Sequence, residues 1–414
     1  MVSLSQKLDM HYSRERRFDA LLGRQHMRVI SRPGFPDWER VTQAMRLISG
    51  KSIIAPAETL LVCPCGHGAL GVWAASQGEP GNIALCDTNC VAAEMATRTL
   101  EANGLGDTRV RVGLPSSDDT AYDVVLMVLP KGRHFARLLL LDVHRALRIG
   151  GRLYLAGPNK GGIKSVIRDG ATLFGSVEVL AYKGGNRVAL LRKTRDLAEA
   201  DLPEAYREPG LSKDTFRRFD IEVRGEHYAV CTRPGVFSWR RLDAGTALLL
   251  DVLQVNVDDV VLDIGCGYGI IGMHAARHAI KGRTIMVDVD WLACECARAS
   301  LALNGLEAEV LLGDGLAAVA GRRFTLVVSN PPFHSGHQVD LDVVEAFVQG
   351  AYAALEAHGR LVIVANRFLP YNRLIAQSFG SCETLLQTPQ YHVLGAEKGR
   401  SRRPSSTRES EMLS

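Results

Sequence analysis

The second half of the chain alternates short apolar runs with longer segments in which apolar residues recur at helical spacing. The short runs, rich in Val, Ile and Leu, predict strands near residues 259–263, 283–288, 308–312, 323–329 and 359–365. The longer segments predict helices near residues 270–279, 290–303 and 340–356. Strands and helices that follow one another in this order predict an α/β fold with a mostly parallel, doubly wound sheet.

The first of these strand-to-helix junctions is rich in glycine. An apolar run at residues 260–262 stops at Asp263, and glycines follow at three alternate positions, Gly265, Gly267 and Gly269. Glycine lacks a Cβ and tolerates positive φ, so a ligand can lie against backbone N–H groups at a helix N-terminus here. The spacing G-x-G-x-G is shorter than the G-x-G-x-x-G that is expected of a dinucleotide site.

An acidic residue, Asp288, ends the next predicted strand, 19 positions after Gly269. Its carboxylate can accept hydrogen bonds from both hydroxyls of a ribose. In a doubly wound sheet this carboxylate and the glycine loop lie together at the carboxyl ends of the strands. The two features predict a site for a cofactor that contains a nucleoside, without choosing among such cofactors.

The segment Asn330-Pro331-Pro332-Phe333 follows the strand predicted at 323–329. Two prolines fix φ and carry no N–H, so the Asn330 side-chain amide and nearby carbonyls are held as outward-facing acceptors. Such acceptors can bind both hydrogens of a planar amino group and direct its nitrogen lone pair at an electrophile. Phe333 supplies a ring that can stack on the base carrying the amine. We therefore predict that these four residues form the catalytic segment.

Together these motifs resemble the class I S-adenosylmethionine-dependent amino methyltransferases. The longer segment at residues 329–336, SNPPFHSG, is similar to the bacterial ribosomal RNA guanine-N2 methyltransferases. Residues 230–250 and 364–370 are also similar to that family, and the resemblance covers about residues 215–396. It implies S-adenosyl-L-methionine as the cofactor and methyl transfer to the exocyclic N2 of a guanine in ribosomal RNA. We expect small-subunit 16S rRNA as the substrate, with large-subunit rRNA as the alternative.

The resemblance also implies a set of cofactor-binding residues. Asp314, which follows a predicted strand, is expected to receive the adenine amino group. The full predicted set is Asp263, Gly265, Gly267, Gly269, Asp288, Asp314 and Asn330. Near the amine site, His334 and His337 could take the amine proton or could instead contact phosphate or water. Arg233 and Phe237 could help to close the site, or could only pack.

Three other functions fit parts of the same pattern. An Asn-Pro-Pro-aromatic segment also serves enzymes that methylate the N5 amide of glutamine in proteins or the N6 amine of adenine, and a diverged chain could be a non-catalytic RNA-binding module. Phe at 333, rather than Tyr, with His334 after it favours guanine over glutamine and adenine. The intact Asp263, Asp288 and Asn330 favour an enzyme over a binding module.

An internal repeat with an offset of 201 residues runs through the chain. Four short segments of the first half recur 201 positions later in the second half. The pairs are Arg17-Phe18-Asp19 with Arg218-Phe219-Asp220, Cys65-Gly66 with Cys266-Gly267, Asp87 with Asp288, and Asn103-Gly104-Leu105 with Asn304-Gly305-Leu306. We infer a tandem duplication that gives two Rossmann-like class I methyltransferase domains. The predicted division is an N-terminal copy at 1–193, a polar linker at 194–215, a catalytic C-terminal copy at 216–398 and a disordered tail at 399–414.

The two copies differ where the chemistry is predicted. Val62 lies opposite Asp263, Pro64 lies opposite Gly265, and residues 128–131, VLPK, lie opposite the Asn-Pro-Pro-Phe segment. Proline removes a donor and restricts φ where the other copy has glycine. The N-terminal copy is therefore predicted to have lost both sites and to serve as a structural element or an RNA platform. Its first 50 residues carry nine Lys and Arg against five Asp and Glu, a surplus that could bind phosphates or could be a solvated face.

Composition bears on the class of protein, on its location and on whether it binds a metal. With 46% hydrophobic and 23% charged residues, the chain is expected to be globular, and it has neither a run of 18 apolar residues nor an apolar segment near its start. We expect a cytoplasmic protein without a membrane partner, acting as a monomer on ribosomal RNA. Nine cysteines form no C-x-x-C pair, which favours reduced, buried thiols and predicts no metal.

Overall fold

The structure, a computed structural model, describes residues 15–117, 121–331 and 341–399 of the 414-residue chain. These residues form two seven-stranded sheets, each preceded along the chain by a two-stranded antiparallel hairpin. In the C-terminal copy the hairpin turns at Arg224 and Gly225, whose φ angles of 50° and 83° are those that a tight two-residue hairpin requires. Hairpin and sheet therefore repeat as one unit in each copy.

The N-terminal copy begins with its hairpin and continues into its sheet. Its strands are β1 (Arg16–Leu22), β2 (Gln25–Ser31), β3 (Leu60–Val62), β4 (Ile83–Asp87), β5 (Arg109–Val112), β6 (Tyr122–Val128), β7 (Leu147–Pro158), β8 (Gly175–Lys183) and β9 (Asn186–Lys193). Its helices are α1 (Gln43–Lys51), α2 (Ala69–Ala75), α3 (Cys90–Glu101), α4 (Arg133–Ala146) and α5 (Ile163–Phe174).

The C-terminal copy repeats that order of elements. Its strands are β10 (Arg217–Val223), β11 (Glu226–Thr232), β12 (Val260–Ile264), β13 (Arg283–Asp288), β14 (Glu309–Leu312), β15 (Phe324–Ser329), β16 (Leu355–Asn366), β17 (Glu383–Gln387) and β18 (Tyr391–Glu397). Its helices are α6 (Ala244–Val252), α7 (Ile270–His278), α8 (Trp291–Asn304), α9 (Leu341–Ala354) and α10 (Tyr371–Phe379).

The two sheets have the same topology. The strand order is β14-β13-β12-β15-β16-β18-β17 in the C-terminal copy and β5-β4-β3-β6-β7-β9-β8 in the N-terminal copy. The first five strands of each sheet run parallel, and the last two add antiparallel pairs. The strand order reverses beside β12, so a crevice opens there at the carboxyl ends of β12, β13 and β15. The predicted fold class, two Rossmann-like doubly wound domains, is confirmed.

Every strand and helix predicted for the C-terminal copy is present, with boundaries that differ by at most four residues. The pattern did not predict the hairpin, helices α6 and α10, or the antiparallel strands β17 and β18. Strand β17 shows why, because its five residues are all exposed or half-buried and form no continuous apolar run. An edge strand that is stabilised by backbone pairing leaves a weak hydrophobic pattern.

The copies dock through backbone hydrogen bonds between equivalent positions. The Cys90 N–H donates to the Val289 carbonyl at 2.9 Å, and the Trp291 N–H donates to the Thr88 carbonyl at 2.8 Å. Residues 90 and 291 are equivalents at the 201-residue offset, as are 88 and 289. Each copy therefore gives its partner the same contact that it receives, which relates the two by an approximate twofold axis.

The segment between the copies, predicted as a polar linker at 194–215, is packed rather than loose. Leu202, Tyr206 and Leu211 are at most 2% exposed and join a core cluster that includes residues of both copies. Arg233 donates to carbonyls of this segment, at 3.0 Å to Gly210 and 3.2 Å to Ser212. Three separate apolar residues in a polar stretch therefore bury the connection.

The boundary between the two domains is proposed to lie in the connecting segment. Strand β9 ends at Lys193 and β10 begins at Arg217, and the division that we propose falls between them. Apart from Gly399, the tail predicted at 399–414 lies outside the described residues. None of the helices in the described ranges has the length and apolar character needed to cross a membrane.

Candidate cofactor and amine site

The glycine loop lies between β12 and α7, at the reversal of strand order. Its glycines all have left-handed backbone, with φ of 72° at Gly265, 56° at Gly267 and 93° at Gly269. A Cβ on Gly269 would lie 3.1 Å from the Cβ of Ala297, so α7 and α8 could not pack as closely with a larger residue there. The sequence therefore needs glycine for both the turn and the packing.

Asp288 ends β13 and braces this loop. One carboxylate oxygen accepts from the Gly267 N–H and the other from the Asp290 N–H, both at 2.9 Å. Burial raises the pKa of Asp288, and these backbone donors oppose the shift because they favour the charged form. Each carboxylate oxygen can accept more than one hydrogen bond, so the brace leaves acceptor capacity for a ribose.

Asp263 lies beneath the loop with one oxygen unsatisfied. Its side chain is fully buried, and Oδ2 accepts from the Gly272 N–H at 2.9 Å. Oδ1 has no hydrogen-bond partner among the described residues. Burial, with a smaller contribution from Asp288, raises the pKa of Asp263 to about 7. A buried carboxylate oxygen without a donor suits a cationic or N–H group supplied by a ligand.

Asn330 follows β15, and its amide is held in one orientation. The side-chain NH2 donates to Asp243 Oδ2 at 3.0 Å and to Thr246 Oγ1 at 2.8 Å. Asp243 caps α6, where the same carboxylate oxygen accepts from the Thr246 N–H at 3.0 Å. A carboxylate only accepts, so the amide nitrogen must face Asp243 and the amide oxygen must point away from it. The acceptor predicted at Asn330 is thus fixed by a helix cap 87 residues earlier.

The end of β15 is tied to β12, and a small cavity lies beside Asn330. The Ser329 hydroxyl donates to the Ile264 carbonyl at 2.7 Å and ties the end of β15 to the end of β12. Pro331 is buried, and a small cavity beside it is lined by Asn330, Pro331, Val364, Ala365, Asn366, Leu369, Tyr371 and Tyr391. The other predicted residues of this segment, Pro332, Phe333, His334 and His337, lie outside the described residues.

Asp314 contacts the other copy. Arg32, at the end of the N-terminal hairpin, reaches Asp314 Oδ2 at 2.5 Å and Glu94 at 2.9 Å. A cavity of about 720 Å³ lies here between the copies, lined from one side by Glu15, Arg32, Cys90, Glu94 and Arg98 and from the other by residues 311–314 with Ala317 and Ala318. The adenine role predicted for Asp314 therefore has to share the carboxylate with an arginine of the N-terminal copy.

The equivalent place in the N-terminal copy keeps the brace and two left-handed glycines, Gly66 and Gly68, but lacks equivalents of Asp263 and Asn330. Asp87 accepts from the Gly66 N–H and the Asn89 N–H, both at 3.1 Å, as Asp288 does in its own loop. Val62 is fully buried where the C-terminal copy has a carboxylate. After β6, Leu129 packs so closely on Gly157 that an added Cβ would lie 2.5 Å from it, which fills the volume beside the strand end.

Comparison with known proteins gives consistent matches over this architecture. Residues 227–395 match the family described as "Methyltransferase small domain", and residues 86–179 match "Methyltransferase small domain N-terminal". A ribosomal RNA small subunit methyltransferase C of Pseudoalteromonas atlantica is 34% identical over 303 residues, covering 72% of this chain and 84% of the relative. One of Stutzerimonas stutzeri is 36% identical over 279 residues, covering 67% of this chain and 80% of the relative.

A solved structure extends the match to both copies. The T. thermophilus 16S rRNA N2 methyltransferase in complex with AdoMet and guanosine has a TM-score of 0.77 and 30% identity, and the alignment covers 94% of this chain and 99% of that one. This chain belongs to the ribosomal RNA small subunit methyltransferase C family. The resemblance inferred from its motifs is confirmed.

In this member of the family, most of the predicted site residues converge on one edge of the sheet. Asp263, the three glycines, Asp288 and Asn330 lie at the carboxyl ends of β12, β13 and β15, with Asp314 beyond β14. Arg233 does not reach the site, because it is buried against the carbonyls of Gly210 and Ser212. Phe237 is 65% exposed.

Two residues that contact the site were missed in the sequence. Asp243 and Thr246 lie in the stretch that resembles the family, but nothing local marks them as partners of Asn330. Asp followed by a small-residue and Leu-rich run does mark a helix start, and that pattern could have predicted the cap. The contact to Asn330 could not have been predicted, since it depends on tertiary packing.

The cysteines and one histidine cluster bear on the prediction of no metal, which stays a prediction. All nine cysteines are free thiols. Elsewhere in the described ranges, Glu226, His274 and His278 place potential ligand atoms within 4.8 Å of one another. The Tyr228 hydroxyl, however, donates to Glu226 at 2.5 Å, and His278 lies 3.2 Å from the same carboxylate oxygen. These side chains already satisfy one another.

Proposed function

We propose that this chain transfers the methyl group of S-adenosyl-L-methionine to the exocyclic N2 of a guanine in 16S ribosomal RNA, using the C-terminal copy. The observation that carries the proposal is the fixed amide of Asn330, whose oxygen is directed away from Asp243 as an acceptor. The names of the relatives, which specify the small-subunit rRNA, support the substrate. The structure solved with AdoMet and guanosine supports both the cofactor and the base.

The residues around the crevice divide the binding of the cofactor among them. The unsatisfied Oδ1 of Asp263 is suited to the ammonium of the methionine part, and Asp288 is suited to the ribose hydroxyls. Backbone N–H groups of the glycine loop allow close approach of the ligand, and Asp314 accepts from the adenine amino group. When bound, the cofactor supplies an activated methyl group on a sulfonium.

The chemical task left to the protein is alignment. The Asn330 amide oxygen and the Pro331 carbonyl accept the two hydrogens of the guanine amine, which positions its nitrogen in line with the methyl carbon and sulfur. Acceptance of both hydrogens also opposes the delocalisation of the nitrogen lone pair into the ring. The amine loses a proton readily once it becomes cationic, so no strong base is needed before attack. Pro332 and Phe333 complete the segment by fixing the turn and stacking on the base.

Asp243 and Thr246 are positioning residues in this scheme. They bind the Asn330 amide nitrogen and therefore decide which end of the amide faces the substrate. Without them, the amide could rotate by 180° and turn its NH2 toward the substrate. Two donors, this NH2 and the N–H groups of the guanine amine, would then face each other without an acceptor. Their contribution is thus orientation, and neither has to touch the RNA.

A methyl-transfer assay tests the proposal. The chain is incubated with S-adenosyl-L-methionine carrying a labelled methyl group and with small subunits or 16S rRNA that lack native modification, in parallel with large subunits, DNA and total protein. Label on N2 of one guanine of 16S rRNA is expected, as mapped by nuclease digestion and mass spectrometry. Label in 23S rRNA, adenine or protein glutamine would replace the proposed substrate, and no label in any pool would overturn the enzymatic function.

A further inference from the structure

Phe368 lies on a turn between β16 and α10 and is 76% exposed. Among the phenylalanines that the structure describes, only Phe237 and Phe368 are exposed, and the others are buried or half-buried. A single exposed apolar side chain is common on protein surfaces and needs no explanation by itself. The position of this one, and the way in which it is held, distinguish it.

The turn that carries Phe368 is anchored on both sides. The Arg367 N–H donates to the Gln390 carbonyl at 3.1 Å, and the Leu369 N–H donates to the Asn366 carbonyl at 3.0 Å. Leu369 is 4% exposed, so the chain returns to the core directly after the phenylalanine. The ring is therefore held outward by an ordered backbone, as a preformed contact surface would be.

The turn lies beside the amine site. Strand β16 pairs with β15 in parallel, with Ile363 opposite Ser329, so both strands end at the same edge of the sheet. Asn366 and Leu369, which flank the phenylalanine, line the same small cavity as Asn330. A base held at Asn330 is part of a polynucleotide, and the residues at the rim of that cavity are the ones its neighbours in the strand can reach.

The chemistry at the rim suits an unpaired nucleotide. Phe368 offers a planar apolar face, and the exposed Arg367 beside it offers a cation for phosphate. Proteins that bind single-stranded RNA combine aromatic stacking with such charges, because every base has a π face and every nucleotide has a phosphate. A guanine must leave its helical stack before its N2 can enter a closed site, and the bases next to it then lose a stacking partner.

We propose that Phe368 stacks on a base next to the methylated guanine in the RNA substrate, with Arg367 at the adjoining phosphate. The inference rests on the proposed function and deepens it, since it assigns a second aromatic contact to the RNA, separate from the residues that bind the guanine. Phe368 replaces the stacking partner that the neighbouring base loses when the guanine is turned out.

Steady-state kinetics with unmodified small subunits provide the first test. Phe368→Ala and Phe368→Leu should each raise the KM for the subunit about tenfold, the scale of one lost base–aromatic stack. Phe368→Trp should stay within about twofold of the wild type, and cofactor affinity should be unchanged in all three. A leucine variant equal to the wild type would overturn the stacking role, as would a weaker affinity for S-adenosyl-L-methionine.

Ile280→Ala is the matched control. Ile280 is 74% exposed but follows α7 at the opposite edge of the sheet, ahead of β13. Loss of this apolar side chain should leave the KM for the subunit unchanged. An equal rise in KM for Ile280→Ala would show that surface apolar area in general, and not the ring at 368, changes RNA binding, and would overturn the inference.

Photo-crosslinking locates the contact directly. A benzoyl-phenylalanine at position 368 keeps an aromatic ring and should cross-link to a nucleotide immediately before or after the methylated guanine. A cross-link to the guanine itself, to distant nucleotides only, or to no RNA would overturn the inference. If the wild type methylates no guanine N2 in 16S rRNA, the proposed function fails. If it does and the Phe368 variants behave as the wild type, only the present inference fails.

Discussion

The glycine loops of the two copies are braced by the same carboxylate contact. Asp288 holds the Gly267 N–H at 2.9 Å, and Asp87 holds the Gly66 N–H at 3.1 Å. A strand-ending aspartate in this fold is usually taken as a mark of the cofactor site. Its retention in a copy that lacks equivalents of Asp263 and Asn330 indicates that it also has a structural task, which is to keep the loop in its left-handed turn.

Within the site, the copies differ at groups that a ligand would contact. Beneath the loop, the Asp263 carboxylate, which has one unsatisfied oxygen, is replaced by the buried Val62, which needs no partner. At the end of the fourth sheet strand, the Asn330 acceptor is replaced by residues whose side chains fill the space, with Leu129 packed on Gly157. The N-terminal copy has thus become a packed domain that retains the backbone of a site.

The largest effect is expected when an N-terminal residue is placed in the C-terminal loop. Gly265→Pro should abolish cofactor binding, because proline cannot adopt a φ of 72° and lacks the N–H that donates to the Val287 carbonyl. Titration calorimetry should give one S-adenosyl-L-methionine per wild-type chain, and Pro64→Gly should still give one. Two equivalent cofactor sites in the wild type would contradict the conclusion that only the C-terminal copy binds S-adenosyl-L-methionine.

Asp263→Val is the companion variant, because it copies Val62 without changing backbone geometry. Its melting temperature should stay close to that of the wild type, because removal of a buried oxygen without a partner offsets the loss of the acceptor for the Gly272 N–H, and it should still lose cofactor affinity. A variant that folds and binds as the wild type would remove Asp263 from the site.

Loss of the amide at Asn330 is the next largest effect. Asn330→Ala should leave cofactor affinity nearly unchanged and reduce methyl transfer at saturation by about 100-fold or more, the range for one preorganised hydrogen-bonding group. Single-turnover assays with calorimetry as the binding control measure the two quantities separately. Abolished cofactor binding with normal turnover at saturation would assign Asn330 to the cofactor instead.

Exchange of the two partners sharpens this result. Asn330→Asp alone places a second carboxylate against Asp243 and should be as inactive as the alanine variant, because like charges at about 3 Å repel strongly. Combined with Asp243→Asn, the hydrogen bond is restored in reverse, and asparagine still caps α6. The double variant should recover at least tenfold in turnover over Asn330→Asp. No recovery would mean that the pair does not orient the acceptor.

A smaller effect separates the brace from the ribose contact. Asp288→Ala should weaken cofactor binding by about 1.5–3 kcal/mol, the scale of hydrogen bonds to a charged acceptor. Asp87→Ala removes the equivalent brace from the N-terminal copy and should lower its stability without changing cofactor affinity. Calorimetry and thermal unfolding of both variants test the pair. Equal losses of affinity would show that the brace acts through the docked copies and not through the ribose.

The smallest effect concerns pH. The raised pKa of Asp263, about 7, means that the free protein carries a proton there at pH 6, which an incoming ammonium must displace. Cofactor affinity should therefore rise about tenfold from pH 6 to pH 8, until the ammonium of the cofactor itself deprotonates. Asp263→Asn should remove this dependence. If the dependence persists in that variant, it belongs to Asp290, whose pKa burial also raises to about 7.

Features that depend on residues close together in the sequence could be predicted, and contacts between residues far apart in the sequence could not. The repeat of 201 residues and the apolar periodicity predicted both domains, since strands and helices depend on neighbouring residues. The prediction of the cofactor residues rests on the family resemblance and on their positions at or just after strand ends, which parallel strands bring together. The contact between Arg32 and Asp314 spans 282 residues and the two copies, and no local pattern indicates it.

The same limit applies to the oriented amide and the packed linker. Asn330 was predicted as an acceptor from its prolines, but which end of its amide faces outward is decided by Asp243, which a separate helix supplies. Leu202, Tyr206 and Leu211 are spaced too irregularly to form a periodic pattern, although together they bury the connecting segment. A polar composition therefore does not distinguish a loose linker from a packed one, because a few isolated apolar residues are enough to bury the segment.

The reciprocal hydrogen bonds between residues 88–90 and 289–291 have a consequence for the origin of the two-copy chain. They involve only main-chain atoms, so substitutions that removed one cofactor site left them intact. A single-copy ancestor could have formed a symmetric homodimer through these same peptides, with each subunit giving and receiving one bond. Fusion would then have freed one of two identical active sites from selection while the dimer contact continued to hold the surviving site in place.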